Sequence, residues 1–398
     1  MATDFQINGK SFDDFFIPRD LFSQGGLWGW GYNNVGQLGD NTSTQKSSPI
    51  QTISGGTNWK QVSVGDHAAA IKTDGTLWLW GRNTYGQLGN NLGGGAALDP
   101  KSSPVQTISG GTNWKMVACG GYNTACIKTD GTLWLWGYNT LGQLGNNANT
   151  INETKSPVQT VSGGANWKQV STGNFSAAIK TDGTLWTWGY NVNGTLGDNT
   201  TVNKSSPVQT VAGGTNWKQV SSGGSHNAAA IKTDGTLWTW GINSYGNLGN
   251  NTNGNGGTTN SQSSPIQTIS GGTNWKMVAC GYYHDVAIKT DGTLWTWGYG
   301  YYGQLGNETN LYSGSRSSPV QTVAGGTNWK QVSSDSNHTT CIKTDGTLWT
   351  WGENSFVQLG DNTTVNKSSP VQTVAGGTNW KQVDAGSISM MAIREDFY

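Results

Sequence analysis

The phrase Leu-Trp-x-Trp-Gly occurs seven times in this chain, at intervals of 50 to 57 residues. Its first tryptophans are Trp28, Trp78, Trp134, Trp186, Trp238, Trp295 and Trp349. A second phrase, Asn-Trp-Lys, also occurs seven times, and the two phrases together hold all 21 tryptophans of the 398 residues. Regular self-similarity of this length indicates an array of one supersecondary unit, because unrelated domains would not share a period.

Each repeat contains four short segments with the alternation and turn residues of β-strands. In the first complete repeat they are predicted as strand A at 59–63, strand B at 68–72, strand C at 76–80 and strand D at 104–108. The Asp74-Gly75 pair between strands B and C tolerates the positive φ of a tight hairpin. Four antiparallel strands in about 50 residues are typical of a propeller blade.

The two ends of the chain predict how the ring closes. The repeats begin at a strand C (Gly26 to Trp30) and end after a strand B (Met390 to Arg394). The last blade then combines strands from both termini, which removes open sheet edges. We predict an all-β, seven-bladed β-propeller of four-stranded antiparallel blades over residues 24–398, preceded by an N-terminal extension at 1–23.

Composition argues against several classes of partner. Lys plus Arg and Asp plus Glu each total 23, so the large basic excess of nucleic-acid binding is absent. No apolar run approaches the ~20 residues of a membrane span. The first residues lack the basic-then-apolar pattern of a secretory signal. We therefore expect no nucleic-acid partner, no membrane insertion and synthesis in the cytosol.

Residues that could bind a metal or take part in catalysis also follow the repeat. The four histidines, His67, His226, His284 and His338, recur near the start of strand B on different blades, whereas metal ligands must converge within about 2 Å of one ion. Structural hydrogen bonding is the favoured role. Because no nucleophile, phosphate loop or carboxylate pair stands out, we predict a protein that is not an enzyme and has no metal or cofactor.

Three phrases carry a family resemblance: Gly-x-x-His-x-x-Ala-Ile-Lys, Asp-Gly-Thr-Leu-Trp-x-Trp-Gly and Asn-x-x-Gly-Gln-Leu-Gly. They resemble the regulator of chromosome condensation repeat family over residues 24–398, which implies a seven-bladed propeller whose function lies in surface loops. Members of that family include an exchange factor for a small GTPase, but this chain lacks a long protruding insertion. Its nearly identical repeats, such as 200–219 and 363–382, resemble propeller proteins of tailed bacteriophages, cyanophages especially.

Strand alternation assigns the loops to two faces. The uniform face carries the Asp-Gly hairpins and the Gly-Gly-Thr-Asn turns, with a charge ring at Lys60, Lys72, Asp74 and their equivalents that we expect to be merely solvated. The variable face carries the A–B turns and the C–D loops, where recognition normally lies. The predicted ligand or receptor contacts there are Tyr282, Tyr283, His284, Tyr299, Tyr301, Tyr302 and Tyr312. The alternative is that these tyrosines pack the loops against each other.

The N-terminal extension holds five of the eight phenylalanines. Phe5, Phe12, Phe15, Phe16 and Ile17 are predicted to dock the chain into a larger assembly. The alternative is that this segment folds back over the propeller.

These features together favour a non-enzymatic virion component of a phage, as an adhesin, fibre tip or decoration protein. Its expected partners are other virion proteins and a host surface glycan or protein, and its expected location is the virion. The alternative is a cytoplasmic protein-interaction or regulatory propeller of the exchange-factor type. The sequence leaves the oligomeric state open.

Overall fold

A computed structural model of the chain describes residues 25–93, 99–148, 152–224, 226–308 and 314–395. These residues form 28 strands in seven four-stranded antiparallel sheets, as the repeat predicts. Each strand A contacts strand A of both neighbouring sheets, so the A strands surround the centre and the D strands form the rim. The seven-bladed all-β propeller is thereby confirmed. The described residues include no helix long and apolar enough to cross a membrane.

The blades follow one another along the chain. Blade 1 contains β3 (Trp59–Val64), β4 (His67–Lys72), β5 (Leu77–Gly81) and β6 (Lys101–Gln106). Blade 2 contains β7 (Trp114–Cys119), β8 (Asn123–Lys128), β9 (Leu133–Tyr138) and β10 (Glu153–Gln159). Blade 3 contains β11 (Trp167–Thr172), β12 (Phe175–Lys180), β13 (Leu185–Gly189) and β14 (Lys204–Gln209). Blade 4 contains β15 (Trp217–Gly223), β16 (Asn227–Lys232), β17 (Leu237–Gly241) and β18 (Gln262–Gln267).

The remaining blades complete the ring. Blade 5 contains β19 (Trp275–Cys280), β20 (His284–Lys289), β21 (Leu294–Gly298) and β22 (Arg316–Gln321). Blade 6 contains β23 (Trp329–Asp335), β24 (His338–Lys343), β25 (Leu348–Gly352) and β26 (Lys367–Gln372). Blade 7, the closing blade, contains β27 (Trp380–Ala385), β28 (Ser389–Arg394), β1 (Gly26–Gly31) and β2 (Lys46–Gln51).

The closing blade joins the two ends of the chain. Its strand order is β2-β1-β28-β27, and β1 pairs with β28 from Gly26 opposite Arg394 to Gly31 opposite Ser389. The predicted closure is therefore confirmed. Strands A, B and C were predicted to within a residue or so. Strand D of blade 1 was placed about two to three residues too late, because its edge pairing already begins opposite Gly81 at Lys101.

Two tryptophans of each repeat join neighbouring blades. The Trp of strand A and the second Trp of strand C are at most 1% exposed in every repeat. In blade 3, Trp167 and Trp188 pack against Leu133, Leu135 and Leu144 of blade 2. The first Trp of strand C is only half-buried and lies at the uniform-face end of the strand. Fourteen of the 21 tryptophans are therefore buried at the junctions between blades.

The Asn-x-x-Gly-Gln-Leu-Gly loop of one blade caps the tryptophan of the next. Trp188 donates its indole N–H to the Gln143 carbonyl across 2.9 Å, and the other six blades repeat this contact. Gly145 has φ +63°, and an added Cβ would lie 2.7 Å from Trp188 Nε1. The glycine is therefore required both by the backbone conformation and by the close approach of the indole.

Glutamines of the A strands connect the inner wall of the ring. Gln61 accepts a hydrogen bond from the Val117 backbone N–H at 3.0 Å and donates one to the Val117 carbonyl at 3.1 Å. Gln382 makes the same pair with Val62, which links the closing blade to blade 1. Five repeats hold glutamine here and two hold methionine, at Met116 and Met277.

Candidate interaction surface on the variable face

Seven aromatic rings meet on the variable face of blades 4 and 5. They are contributed by the A–B turns and C–D loops of both blades. We call this set the aromatic cluster: His226, Tyr245, Tyr282, Tyr283, Tyr299, Tyr301 and Tyr302. Five of the seven predicted contact residues belong to it, and the structure adds His226 and Tyr245.

The base of the aromatic cluster packs one blade against the next. His226 of blade 4 lies 4.3 Å from Tyr283 of blade 5, between ring centroids. Tyr245 of blade 4 lies 5.2 Å from Tyr283 and 4.5 Å from Tyr299. Burial raises the pKa of Tyr299 to about 12. These contacts are the loop packing that the alternative interpretation describes, and they fix the base of the cluster.

The top of the aromatic cluster faces solvent. Tyr301 is 37% exposed and stacks parallel to Tyr299, with an interplanar angle of 3°. Tyr302 meets Tyr301 edge to face at 5.0 Å, and its backbone N–H donates to Gln304 Oε1 at 2.9 Å. A rigid pair of amphipathic rings on a packed base suits a protein surface. That Tyr301 and Tyr302 contact a ligand remains a prediction.

Other predicted contact residues lie elsewhere. His284 is fully buried, and its Nε2 is 3.0 Å from Thr339 Oγ1 of blade 6. Burial lowers the pKa of His284 to about 3, so its ring stays neutral. His284 therefore has no access to a ligand on the face and does not belong in the contact set. Tyr312 lies outside the described residues, as do the predicted docking residues Phe5, Phe12, Phe15, Phe16 and Ile17.

The buried histidines connect blades. His67 Nε2 lies 2.6 Å from Thr124 Oγ1 of blade 2, and His338 Nε2 lies 3.1 Å from Met390 Sδ of the closing blade. The predicted structural hydrogen-bonding role is confirmed for His67 and His284. Within the described ranges, no three His, Cys, Asp or Glu side chains are grouped closely enough to hold a metal ion.

A buried acid lies at the junction of blades 4 and 5. Asn227 donates from Nδ2 to both carboxyl oxygens of Asp285, each at 2.9 Å, and Asp285 is fully buried. Burial raises the pKa of Asp285 to about 7, although the hydrogen bond from Asn227 opposes that change. The sequence could have singled out Asp285, since the other repeats hold Ala, Thr, Ser or Met at this position.

We expect Asp285→Asn to change how stability depends on pH. The folded pKa of about 7 exceeds the unfolded value of 3.8, so this group's stabilising contribution is complete below pH 3.8 and is lost as the pH rises to 7. Relative to the variant, the wild type should lose at most about 1.4 kcal/mol per pH unit between pH 4 and 7. Urea unfolding from pH 4 to 9 measures this difference. The exposed Asp234→Asn is the control, and equal pH profiles for both variants would contradict the prediction.

The central channel is narrow and polar. It encloses about 180 Å³ and is lined by the A strands and A–B turns. Enclosure and the nearby Asp66 and Asp384 raise the pKa of Asp335 to about 7. Asp66 pairs with Arg82 at 2.8 Å. Asp384 accepts hydrogen bonds from Ser63 and Ser333 side chains. These two carboxylates are engaged in structural contacts, so they connect elements of the ring.

Comparison with known proteins identifies the class. The regulator of chromosome condensation (RCC1) repeat matches seven times, at 24–71, 74–127, 130–179, 182–230, 234–288, 291–342 and 345–393. The matches cover nearly the whole propeller, and the chain belongs to this repeat family.

Individual relatives are cellular proteins. The chain is 32% identical to the ultraviolet-B receptor UVR8 of Arabidopsis thaliana over 290 residues, which cover 71% of this chain and 62% of the receptor. It is 26% identical to the human E3 ubiquitin-protein ligase HERC2 over 376 residues, which cover 92% of this chain and 8% of the ligase. The chain thus spans less than two thirds of both relatives.

A solved structure shares the fold. Yeast RCC1 (Prp20), seen bound to Kap60, superposes with a TM-score of 0.83 at 17% identity, covering 100% of this chain and 95% of that one. At this identity the likeness shows the propeller fold.

The prediction of a phage virion component is wrong. The relatives include an ultraviolet-B receptor of a plant and an E3 ubiquitin-protein ligase of human cells, and they favour the alternative of an exchange-factor-type propeller. The prediction relied on near-identical repeats and on the lack of a long insertion, and these features reflect only how the repeat array is constructed. They do not report what its loops bind.

Proposed function

We propose that this chain is a non-enzymatic interaction module that docks a cellular protein on its variable face, as a regulatory propeller of the exchange-factor type. The observation that carries the proposal is the aromatic cluster, in which the exposed Tyr301 and the partly buried Tyr302 rest on rings packed between two blades. Pre-positioned aromatic side chains lose little conformational freedom on binding, so they make strong protein contacts. The earlier phage resemblance and virion partners receive no support and are set aside.

The family supports a protein partner. Yeast Prp20p, which shares the fold, has been described together with its binding to Gsp1p and histones. In this chain the channel carboxylates Asp66 and Asp384 are engaged in structural contacts. The aromatic cluster therefore supports binding of a protein, and that the chain is not an enzyme stays a prediction. Cytoplasmic location stays a prediction that accompanies this function.

Site-directed cross-linking tests the proposal. A photoreactive phenylalanine analogue at position 301 should capture a distinct protein from an extract of the source organism. The control places the same group at Tyr85, whose ring packs with Tyr122 and Tyr138 in a separate group on the same face. Capture of the same proteins at both positions, or of none at 301, would refute docking at the aromatic cluster.

Substitution then measures the contribution of Tyr301 and Tyr302. Tyr301→Ala with Tyr302→Ala should weaken binding of the captured protein by at least about tenfold, because exposed aromatic anchors dominate such interfaces. Binding is measured by interferometry with the purified partner. Tyr85→Ala is the matched control and should change affinity less than about twofold. Equal effects would show that these rings only pack the loops.

A further inference from the structure

The charges of this neutral chain are sorted between the two faces. Among the residues that the structure describes, the uniform-face ends of strands A and B and the hairpins between strands B and C hold fourteen Lys and Arg against seven Asp and Glu, a net charge of +7. The variable-face turns, loops and adjoining strand ends hold seven basic and eleven acidic residues, a formal net charge of −4 that counts Asp285 and Asp335 as ionised. Overall neutrality conceals this separation, which creates a long-range field across the ring.

Seven of the basic groups are held in identical cradles. Lys180 Nζ lies 4.8 Å from the Trp167 ring and 4.5 Å from the Trp186 ring. The same cradle recurs in every blade, with Arg394 in the closing blade. Indole faces attract a cation and restrict its side chain. The ring therefore presents cations at fixed, equivalent positions.

An apolar ring accompanies the cations. Each blade exposes one β-branched residue just after strand D, between 44% and 57% accessible: Ile53, Ile108, Val161, Val211, Ile269, Val323 and Val374. Each of these residues donates its backbone N–H to a loop glycine at 3.0 Å, so the side chain is presented by fixed backbone. Single exposed apolar residues are ordinary, but seven at equivalent positions form a regular pattern.

The acidic groups of this face argue against a phosphate backbone as its partner. Asp182 accepts hydrogen bonds from the Thr184 backbone and hydroxyl, as five equivalent aspartates do with their threonines. These bonds lower the pKa of Asp182, so the carboxylates stay charged at neutral pH. These carboxylates interrupt the positive charge that an unbroken phosphate backbone requires, and the Ile and Val side chains favour a partner that also carries apolar groups.

We propose that the uniform face is a second docking surface, for an acidic protein segment with interspersed apolar side chains. Acidic side chains of the segment would meet the Trp-cradled cations, and its apolar side chains would cover the exposed Ile and Val. This surface is independent of the aromatic cluster, because it lies at the opposite end of the strands. A partner held here leaves the variable face open for another.

A labelled peptide of alternating Asp and Phe is the probe. Fluorescence anisotropy with the full chain at 50 mM NaCl should show saturable binding that weakens with added salt. The triple variant Lys128→Gln, Lys180→Gln and Lys232→Gln should weaken binding about tenfold, from the summed loss of three charge contacts. Should that variant fold poorly, Lys115→Gln, Lys168→Gln and Lys276→Gln remove three charges of the same face without touching the cradles.

Two controls separate the outcomes. Lys155→Gln, Lys204→Gln and Arg316→Gln change net charge equally on the opposite face and should leave peptide binding within about twofold. The triple variant Ile108→Ser, Val161→Ser and Val211→Ser should weaken peptide binding about fivefold. A 20-base-pair DNA duplex serves as a second probe, and its binding should be unaffected by this variant. The proposal would be overturned if the charge variants of the two faces lost the same peptide affinity, or if the peptide showed no saturable binding. Tighter binding of the duplex than of the peptide would overturn it in favour of nucleic acid.

Discussion

Trp188→Ala should destabilise the propeller by about 4 kcal/mol, within the range for truncating a fully buried tryptophan. Its ring is 0% exposed and fills the junction between blades 2 and 3. The variant also leaves the Gln143 carbonyl without the indole N–H that now reaches it. The neighbouring loop cannot collapse into the cavity, because Gly145 and its turn are held by their own hydrogen bonds. Urea unfolding followed by fluorescence of the remaining tryptophans measures the loss.

Trp186→Ala is the matched control two residues away on the same strand. Its ring is half-buried, lies under Lys180 and donates its N–H to Thr184 Oγ1 at 2.9 Å. Removing it should cost only about 1–2 kcal/mol, because water already reaches part of the ring. Similar losses for both variants would contradict the division of the tryptophans into two roles.

The sequence predicted the ring because tryptophan spacing and turn chemistry are local properties. The closing sheet followed from the phase at which the repeats start and stop, and β1 does pair with β28. The two tryptophan roles could not be separated in this way, since Trp186 and Trp188 occur in the same phrase. Their difference comes from neighbours in another blade.

The candidate site was predicted only in part for the same reason. The tyrosine-rich stretch of blade 5 was visible, but Tyr245 and His226 join it from blade 4, far away in the chain. His284 shares the stretch yet faces the blade junction, because strand residues alternate between directions. The net charge of the uniform face was also countable from the sequence. The whole-chain total of zero conceals this charge, and its docking role is a proposal that the sequence alone did not suggest.

Closure of the ring depends on the closing blade, because its two halves come from opposite ends of the chain. Only non-covalent contacts hold the two halves together. If these contacts were lost, the chain would regain the conformational entropy that closing such a long loop costs. Asp384 lies where Ser63 and Ser171 lie in other A strands. It accepts hydrogen bonds from Ser333 Oγ at 2.9 Å, from Ser63 Oγ at 3.0 Å and from the Val64 backbone N–H at 2.9 Å. One carboxylate thus links the closing blade to blades 6 and 1.

Asp384→Ala should therefore cost about 3 kcal/mol, since it leaves the buried Val64 N–H and two hydroxyls without their acceptor. Ser171→Ala is the matched control within the ring. Among the described residues its hydroxyl forms hydrogen bonds with Ser222 alone, so the expected loss is about 1 kcal/mol. Hydrogen exchange supplies a second readout: amides of β1 and β28 should exchange faster in Asp384→Ala, while those of β12 and β13 keep their protection relative to global unfolding. If Asp384→Ala loses no more stability than Ser171→Ala, the closure does not depend on this carboxylate.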